Sequence, residues 1–177
     1  FQTKPLYPFG FGLSYTDFSI TKKALSSNKS EITVEVEVKN TGKMAGKEVV
    51  QVYVSPSQEN MDKPYQSLVA FKKTQKMNPE ETSTLTLKFK LEDIARYDEE
   101  KAQYILDKGN YIIRVGNSSD KTEVYAYISL AEDIVTEKLK NVGGKPDFSP
   151  IKPYIKVTDD LTGVQKIELT KDDFTHL

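Results

Sequence analysis

The sequence predicts an all-β fold, a two-sheet antiparallel sandwich of about seven strands with a mostly irregular C-terminal tail. Three observations carry this. Apolar and polar residues alternate at a period of two through most of the first 130 residues. Clusters of Asn, Gly, Pro and Ser break the alternation every eight to twelve residues or so, the spacing of short strands joined by turns. Only scraps of helical pattern separate those strands.

The elements follow in order. Residues 18–25 form the first predicted strand. Residues 31–39 read EITVEVEVK, with Ile32, Val34, Val36 and Val38 on one face and Thr or charged residues on the other. That is a half-buried antiparallel strand, because a parallel strand would be apolar on both faces. Asn40-Thr41-Gly42 and Gly46 then turn the chain into residues 47–55 (KEVVQVYVS), a more apolar run expected to be central and partly covered on its second face. A strand at 68–75 follows, and Asn78-Pro79-Glu80 marks the next turn. Residues 84–91 (TLTLKFKL) point Leu85, Leu87, Phe89 and Leu91 inward. One helical turn is expected over 91–97, then strands at 111–116 and 123–130, set off by Lys108-Gly109-Asn110 and by Gly116-Asn117-Ser118-Ser119.

Beyond residue 130 the pattern weakens. Residues 132–140 suggest a short helix, the Gly/Pro-rich stretch 143–153 reads as linker, and 164–169 (VQKIEL) as one further strand. Lys171-Asp172-Asp173 reads as a helix start or a solvated end. This tail has the character of a strap between domains and not of an independent domain.

Composition narrows the chemistry. The 177 residues hold 25 basic and 26 acidic side chains, so there is no basic footprint for nucleic acid or an anionic membrane. No apolar run reaches the roughly 18 residues of a membrane span. Absence of cysteine excludes disulfides, thiol catalysis and cysteine-ligated metal, and is compatible with a reducing, cytoplasmic setting. The single histidine, His176, stands next to the end of the sequence and supports neither a catalytic triad nor a histidine-rich metal site. The expectation is no catalytic residue, no metal and no cofactor. Paired carboxylates at 80–81, 98–100, 159–160 and 172–173 lie in predicted turns or tail among lysines, where hydration keeps them ordinary.

Ten tyrosines raise the question of sugar binding, since aromatic faces stack on pyranose rings. Tyr125 and Tyr127 fall on one face of a predicted strand, opposite Val124, Ala126 and Ile128, and with Tyr53 they are the candidate platform. The competing reading is a sheet face covered by a neighbouring domain.

Three stretches go further than fold class: PLYPFGFGLSYTDF at 5–18, VEVEVKNTGKMAGKEVVQVYVSP at 34–56 followed by KP at 63–64 and SLVAF at 67–71, and LDKGNYIIRVGNSS at 106–119. In that order they resemble the fibronectin type III-like domain of glycoside hydrolase family 3, the β-glucosidase and β-xylosidase family. The resemblance covers about residues 5–130. It implies an immunoglobulin/fibronectin type III-like sandwich at 17–130, placed beside a catalytic barrel and an α/β domain and carrying neither the nucleophile nor the acid/base residue. None of the family's catalytic motifs matches a position here. The implied partners are the catalytic domains of the same polypeptide, with the β-linked oligosaccharide bound by the parent enzyme and not by this piece. Residues 1–16 then become a seam from a preceding α/β domain, with Tyr7, Phe9, Phe11 and Tyr15 as its contacts, and a start on Phe1 is expected to lie inside a longer polypeptide. Residues 131–177 resemble segments that lead towards the barrel in bacterial members with permuted domain order. Two alternatives stand beside this structural module: an autonomous carbohydrate-binding module, and a protein-interaction module.

Overall fold

Alternation becomes burial where it was strongest. In the computed structural model, which describes residues 5–56, 64–140 and 159–174, Ile32, Val34, Val36 and Val38 are all fully buried. They lie on strand β2 (Glu31–Asn40), flanked by β1 (Phe18–Asn28) and β5 (Thr82–Lys90) in a three-stranded antiparallel sheet of order β1-β2-β5. Register sets Ile32 opposite Phe89, Val34 opposite Leu87 and Val36 opposite Leu85, so one face of the sheet is continuous hydrocarbon.

Facing it is a five-stranded sheet of order β11-β9-β8-β3-β4, built from β3 (Val49–Ser55), β4 (Ser67–Lys73), β8 (Gly109–Ser118), β9 (Lys121–Leu130) and β11 (Gln165–Leu169). Val50, Val52 and Val54 of β3 join Tyr111, Ile113, Ala126 and Ile128 in the shared core. Tyr111 also closes a corner: its buried hydroxyl donates to the carbonyl of Asp107, four residues upstream, at 2.8 Å, the local bond that sandwich folds use to fix a strand entry.

All seven strands expected between residues 18 and 130 are present, as is the strand near 165. That last strand pairs with β9 in parallel, Ile167 opposite Ile128, and is the one parallel pairing among the described strands. A third, small sheet of order β10-β7-β6 was not expected: β6 (Arg96–Asp98), β7 (Gln103–Leu106) and β10 (Ile134–Lys138). The helix expected over 132–140 is therefore corrected to strand β10. Its Ile-Val-Thr run is β-branched, which favours an extended backbone, and Ile134 is buried opposite Leu106. The helical turn expected over 91–97 is a shorter 3₁₀ turn, Leu91–Ile94, that leads into β6. Arg96 ties this small sheet to the sandwich through two hydrogen bonds to Asp107, both 2.8 Å, and this pairing raises the arginine's already high pKa further. His176 and the stretch 143–153 lie outside the described residues.

Candidate interdomain docking face

Along β3 the outer face of the five-stranded sheet is not left to water, although Phe71 on β4 stands open. On β3 the outward residues Gln51, Tyr53 and Ser55 are buried, as the apolar character of both faces of 47–55 predicts. What covers Gln51 is the segment before β1. Pro8 to Phe11 form a tight turn: the Phe11 N–H donates to the Pro8 carbonyl at 3.0 Å, and Gly10 sits at φ 77° in the third position, where a type II turn requires a left-handed residue. The amide of Gln51 donates to the carbonyls of Gly10 (3.2 Å) and Asn117 (2.8 Å), while its oxygen accepts from the Tyr53 hydroxyl. The Ser119 N–H donates to the Phe9 carbonyl at 2.9 Å. A Cβ on Gly10 would lie 2.3 Å from the Gln51 side-chain oxygen, so glycine is needed for both conformation and space.

A second anchor sits at the far end of the segment. Thr16 is buried and donates from its hydroxyl to the Asn40 side-chain oxygen at 2.8 Å. Asn40, fully buried, also accepts from the Gly42 N–H and donates to the carbonyls of Met44 and Met77. One asparagine thus joins the N-terminal segment, the turn after β2 and the approach to β5. A polar cleft of about 610 Å³ lies between the anchors, with Phe11 and Thr16 on one side and Lys47, Glu48 and Lys121 on the other.

Around those anchors the large apolar side chains stand open to solvent. Tyr7 and Phe9 are each 68% exposed, Phe11 41% and Tyr15 92%, and Leu6 and Leu13 are more exposed still than Tyr7. Tyr7 and Phe11 touch, ring centroids 5.4 Å apart. Six large apolar side chains within ten residues thus stand on a segment held to the sandwich at Phe9–Gly10 and at Thr16. Contiguous exposed hydrocarbon of this kind marks a contact surface in a soluble protein.

The tyrosines considered as a sugar platform sit elsewhere than their alternation suggested. Tyr53 is buried, its hydroxyl donating to the Gln51 side-chain oxygen. Tyr125 is buried too, because β9 carries a bulge: Ile113 pairs with Ala126 but Arg114 with Val124, leaving Tyr125 as the extra residue. Its hydroxyl crosses to the other sheet, lies 2.7 Å from the carbonyls of both Ala24 and Glu35, and accepts from the Lys23 N–H. Burial raises the pKa of both phenols. Tyr127 is half-buried beside β11, opposite Lys166. A platform of Tyr53, Tyr125 and Tyr127 is therefore corrected: two of the three rings have no face open to a ligand, and Tyr125 is a tie between the sheets.

Sequence reasoning missed one further group on this outer face. Arg114, buried, donates to the Ser55 hydroxyl at 2.9 Å, lies over the Tyr65 ring at 5.2 Å, and pairs with Asp159. It thereby fastens the segment that becomes β11. A charged residue amid the IIRV run was the available signal, since a buried arginine needs partners. Among the described residues no group of three or more His, Asp or Glu side chains is arranged to hold a metal, and no helix is long and apolar enough to cross a membrane.

Two facing sheets with a tyrosine corner and an aromatic N-terminal edge define an immunoglobulin-like β-sandwich module. Comparison with known proteins gives the family. Residues 48–119 match the fibronectin type III-like domain. The chain is 41% identical over 121 residues to thermostable β-glucosidase B of Acetivibrio thermocellus, which covers 66% of this chain and 16% of that protein. It is 35% identical over 160 residues to β-glucosidase A of Butyrivibrio fibrisolvens, covering 79% of this chain and 19% of that one. The crystal structure of a β-glucosidase from Kluyveromyces marxianus superposes with a TM-score of 0.72 at 34% identity, over 78% of this chain and 17% of that chain. The chain belongs to the fibronectin type III-like domains of glycoside hydrolase family 3 β-glucosidases, and it spans less than a fifth of the length of these relatives.

Proposed function

We propose that this chain is a non-catalytic structural module of a larger β-glucosidase-type enzyme, bracing catalytic domains of the same polypeptide through its N-terminal aromatic face. On this reading residues 1–16 are a seam, 17–130 the sandwich and 131–177 a strap. Tyr7, Phe9, Phe11 and Tyr15 are the contacts, and the glycoside undergoing cleavage is held by the domains outside this chain. The observation that carries the proposal is the segment at 5–16: it is fixed to the sandwich through the Phe9 and Gly10 carbonyls and the Thr16 hydroxyl while its rings stand exposed. A flexible leader has no need of such anchors. Burying a ring of this size contributes about 1.5–3 kcal/mol, so three or four of them are enough to hold two domains in register.

The experiment is a triple substitution, Tyr7→Ser, Phe9→Ser and Leu13→Ser, made in this 177-residue chain and in the full-length gene product. The chain should keep its melting temperature, because these side chains touch little. The full-length enzyme should lose thermal stability and with it activity on aryl β-glucosides. An unchanged full-length enzyme would contradict the bracing role, as would measurable hydrolysis by the isolated chain.

A further inference from the structure

The small sheet carries a second aromatic feature, remote in sequence from the N-terminal face and different in kind. Tyr97 on β6 and Tyr104 on β7 are directly opposite in register, their ring centroids 5.3 Å apart and tilted by 54°. Both stay open to solvent, 41% and 37% exposed. Beside Tyr104 lies a groove of about 290 Å³ whose other walls are Glu92, Asp93 and Ala95 from the 3₁₀ turn and Thr136 and Glu137 from β10. Consecutive residues of a regular strand point to opposite faces. Thr136 and Glu137 share one groove because β10 is bulged there, Val135 pairing with Ile105 but Glu137 with Tyr104. Bulges of this sort re-aim side chains and are over-represented beside binding sites.

We infer that this groove is a saccharide subsite that takes a neutral, β-linked gluco-oligosaccharide. A β-glucopyranose presents a flat face of axial C–H bonds and a rim of equatorial hydroxyls. An exposed tyrosine ring matches the first; the carboxylates beside it match the second as acceptors of charge-assisted hydrogen bonds, and the Thr136 hydroxyl adds a neutral one. Tyr97, in contact with Tyr104, steadies that ring and extends the apolar strip. Three carboxylates rule out an anionic ligand by repulsion. They also argue against burial under another domain, because Asp93 and Glu137 would lose hydration without an opposite charge on an apolar cover. The N-terminal face, which projects rings and few acceptors, suits protein; this groove suits a polyol. The inference goes beyond the bracing role and departs from the expectation that saccharide contacts lie wholly outside this chain. Only the choice of a β-linked glucan rests on the glucosidase reading.

The test is a titration of the 177-residue chain with cellotriose, followed by amide chemical shifts, with maltotriose and the diamine putrescine run beside it at low and high salt. Saturable shifts are expected at Asp93, Ala95, Tyr104 and Thr136, with half-saturation on the order of 1–10 mM, insensitive to salt and weaker for maltotriose. Tyr104→Phe should keep the response and Tyr104→Ala should abolish it, with the core amides of β2 reporting that both variants fold. Asp93→Asn should weaken binding severalfold without touching the fold. No saturable response to cellotriose, or one that survives Tyr104→Ala, overturns the proposal. So does a preference for maltotriose, or salt-sensitive binding of putrescine alone, which would make the groove an acidic cation site. None of these outcomes bears on the N-terminal face, whose test reads different residues.

Discussion

Replacing Gly10 by alanine should release the N-terminal turn without unfolding the sandwich. Two costs add. Gly10 sits at φ 77°, and an L-residue in the left-handed region costs about 1–2 kcal/mol. The new Cβ would also lie 2.3 and 2.6 Å from the oxygen and nitrogen of the Gln51 amide. Gln51 is held in turn by Asn117 and Tyr53, so its retreat gives up the bond to the Gly10 carbonyl, roughly 0.5–1.5 kcal/mol. The sum, about 2 kcal/mol, is comparable to what the turn gains from its two bonds to Gln51 and Ser119. Amide hydrogen exchange by NMR reads this locally. The Ser119 N–H, which donates to the Phe9 carbonyl, should lose roughly 10- to 30-fold protection, since each 1.4 kcal/mol is a factor of ten. Amides of β2 should not change. Gly12→Ala is the control: nothing lies within 4 Å of its Cβ position, and it should be silent. Unchanged protection at Ser119 in the Gly10 variant would refute the pinned turn, and equal loss in β2 would show that the turn is not a separate unit.

Other expectations follow from the same contacts. Asn40→Ala removes the acceptor of the buried Thr16 hydroxyl and of the Gly42 N–H and a donor to the Met44 and Met77 carbonyls and should lower stability to urea by about 2–4 kcal/mol; a loss below about 0.5 kcal/mol would contradict the hub role. Asp159→Asn weakens the hold on Arg114 and should speed exchange in β11 severalfold while β3 and β8 keep their protection; uniform loss would contradict a local clasp. Burial, aided by the charges of Asp107 and Asp133, raises the Tyr111 phenol well above its ordinary 10.0. Above pH 10 the unfolded chain gives up this proton first. Stability present in full below that pH should then fall by about 1.4 kcal/mol per pH unit, and Tyr111→Phe should make the fall shallower; an unchanged alkaline slope would contradict it.

How legible this molecule is in its sequence depends on the phase of its strands. β2 and β5 keep strict alternation over eight or more residues, so their inward faces are readable residue by residue. β9 is not, because one bulge at Tyr125 shifts the phase and turns an outward ring inward. Nothing in YAYIS marks that extra residue; it answers to the neighbouring strand β8 and to the irregularity at Lys23 in β1, whose N–H donates to the Tyr125 hydroxyl. β6, β7 and β10 are only three to five residues long, too short for a period to register, and their pairing is decided by burial of Ile134 and Ile105 and by the clamp between Arg96 and Asp107. The aromatic segment at 5–16 is conspicuous as composition, and its proposed docking role rests on the motif resemblance. Its anchors were not legible, since Gln51 and Asn40 act across 41 and 24 residues of chain.

On the proposed reading the N-terminal aromatic face is a domain contact. The most direct measurement is chemical labelling of tyrosine, mapped by mass spectrometry, in this chain and in the full-length gene product. Tyr7 and Tyr15 should label readily in the chain, where they stand open, and become protected in the full-length protein, while Tyr111 stays protected in both. Equal labelling of Tyr7 and Tyr15 in the two proteins would contradict the account.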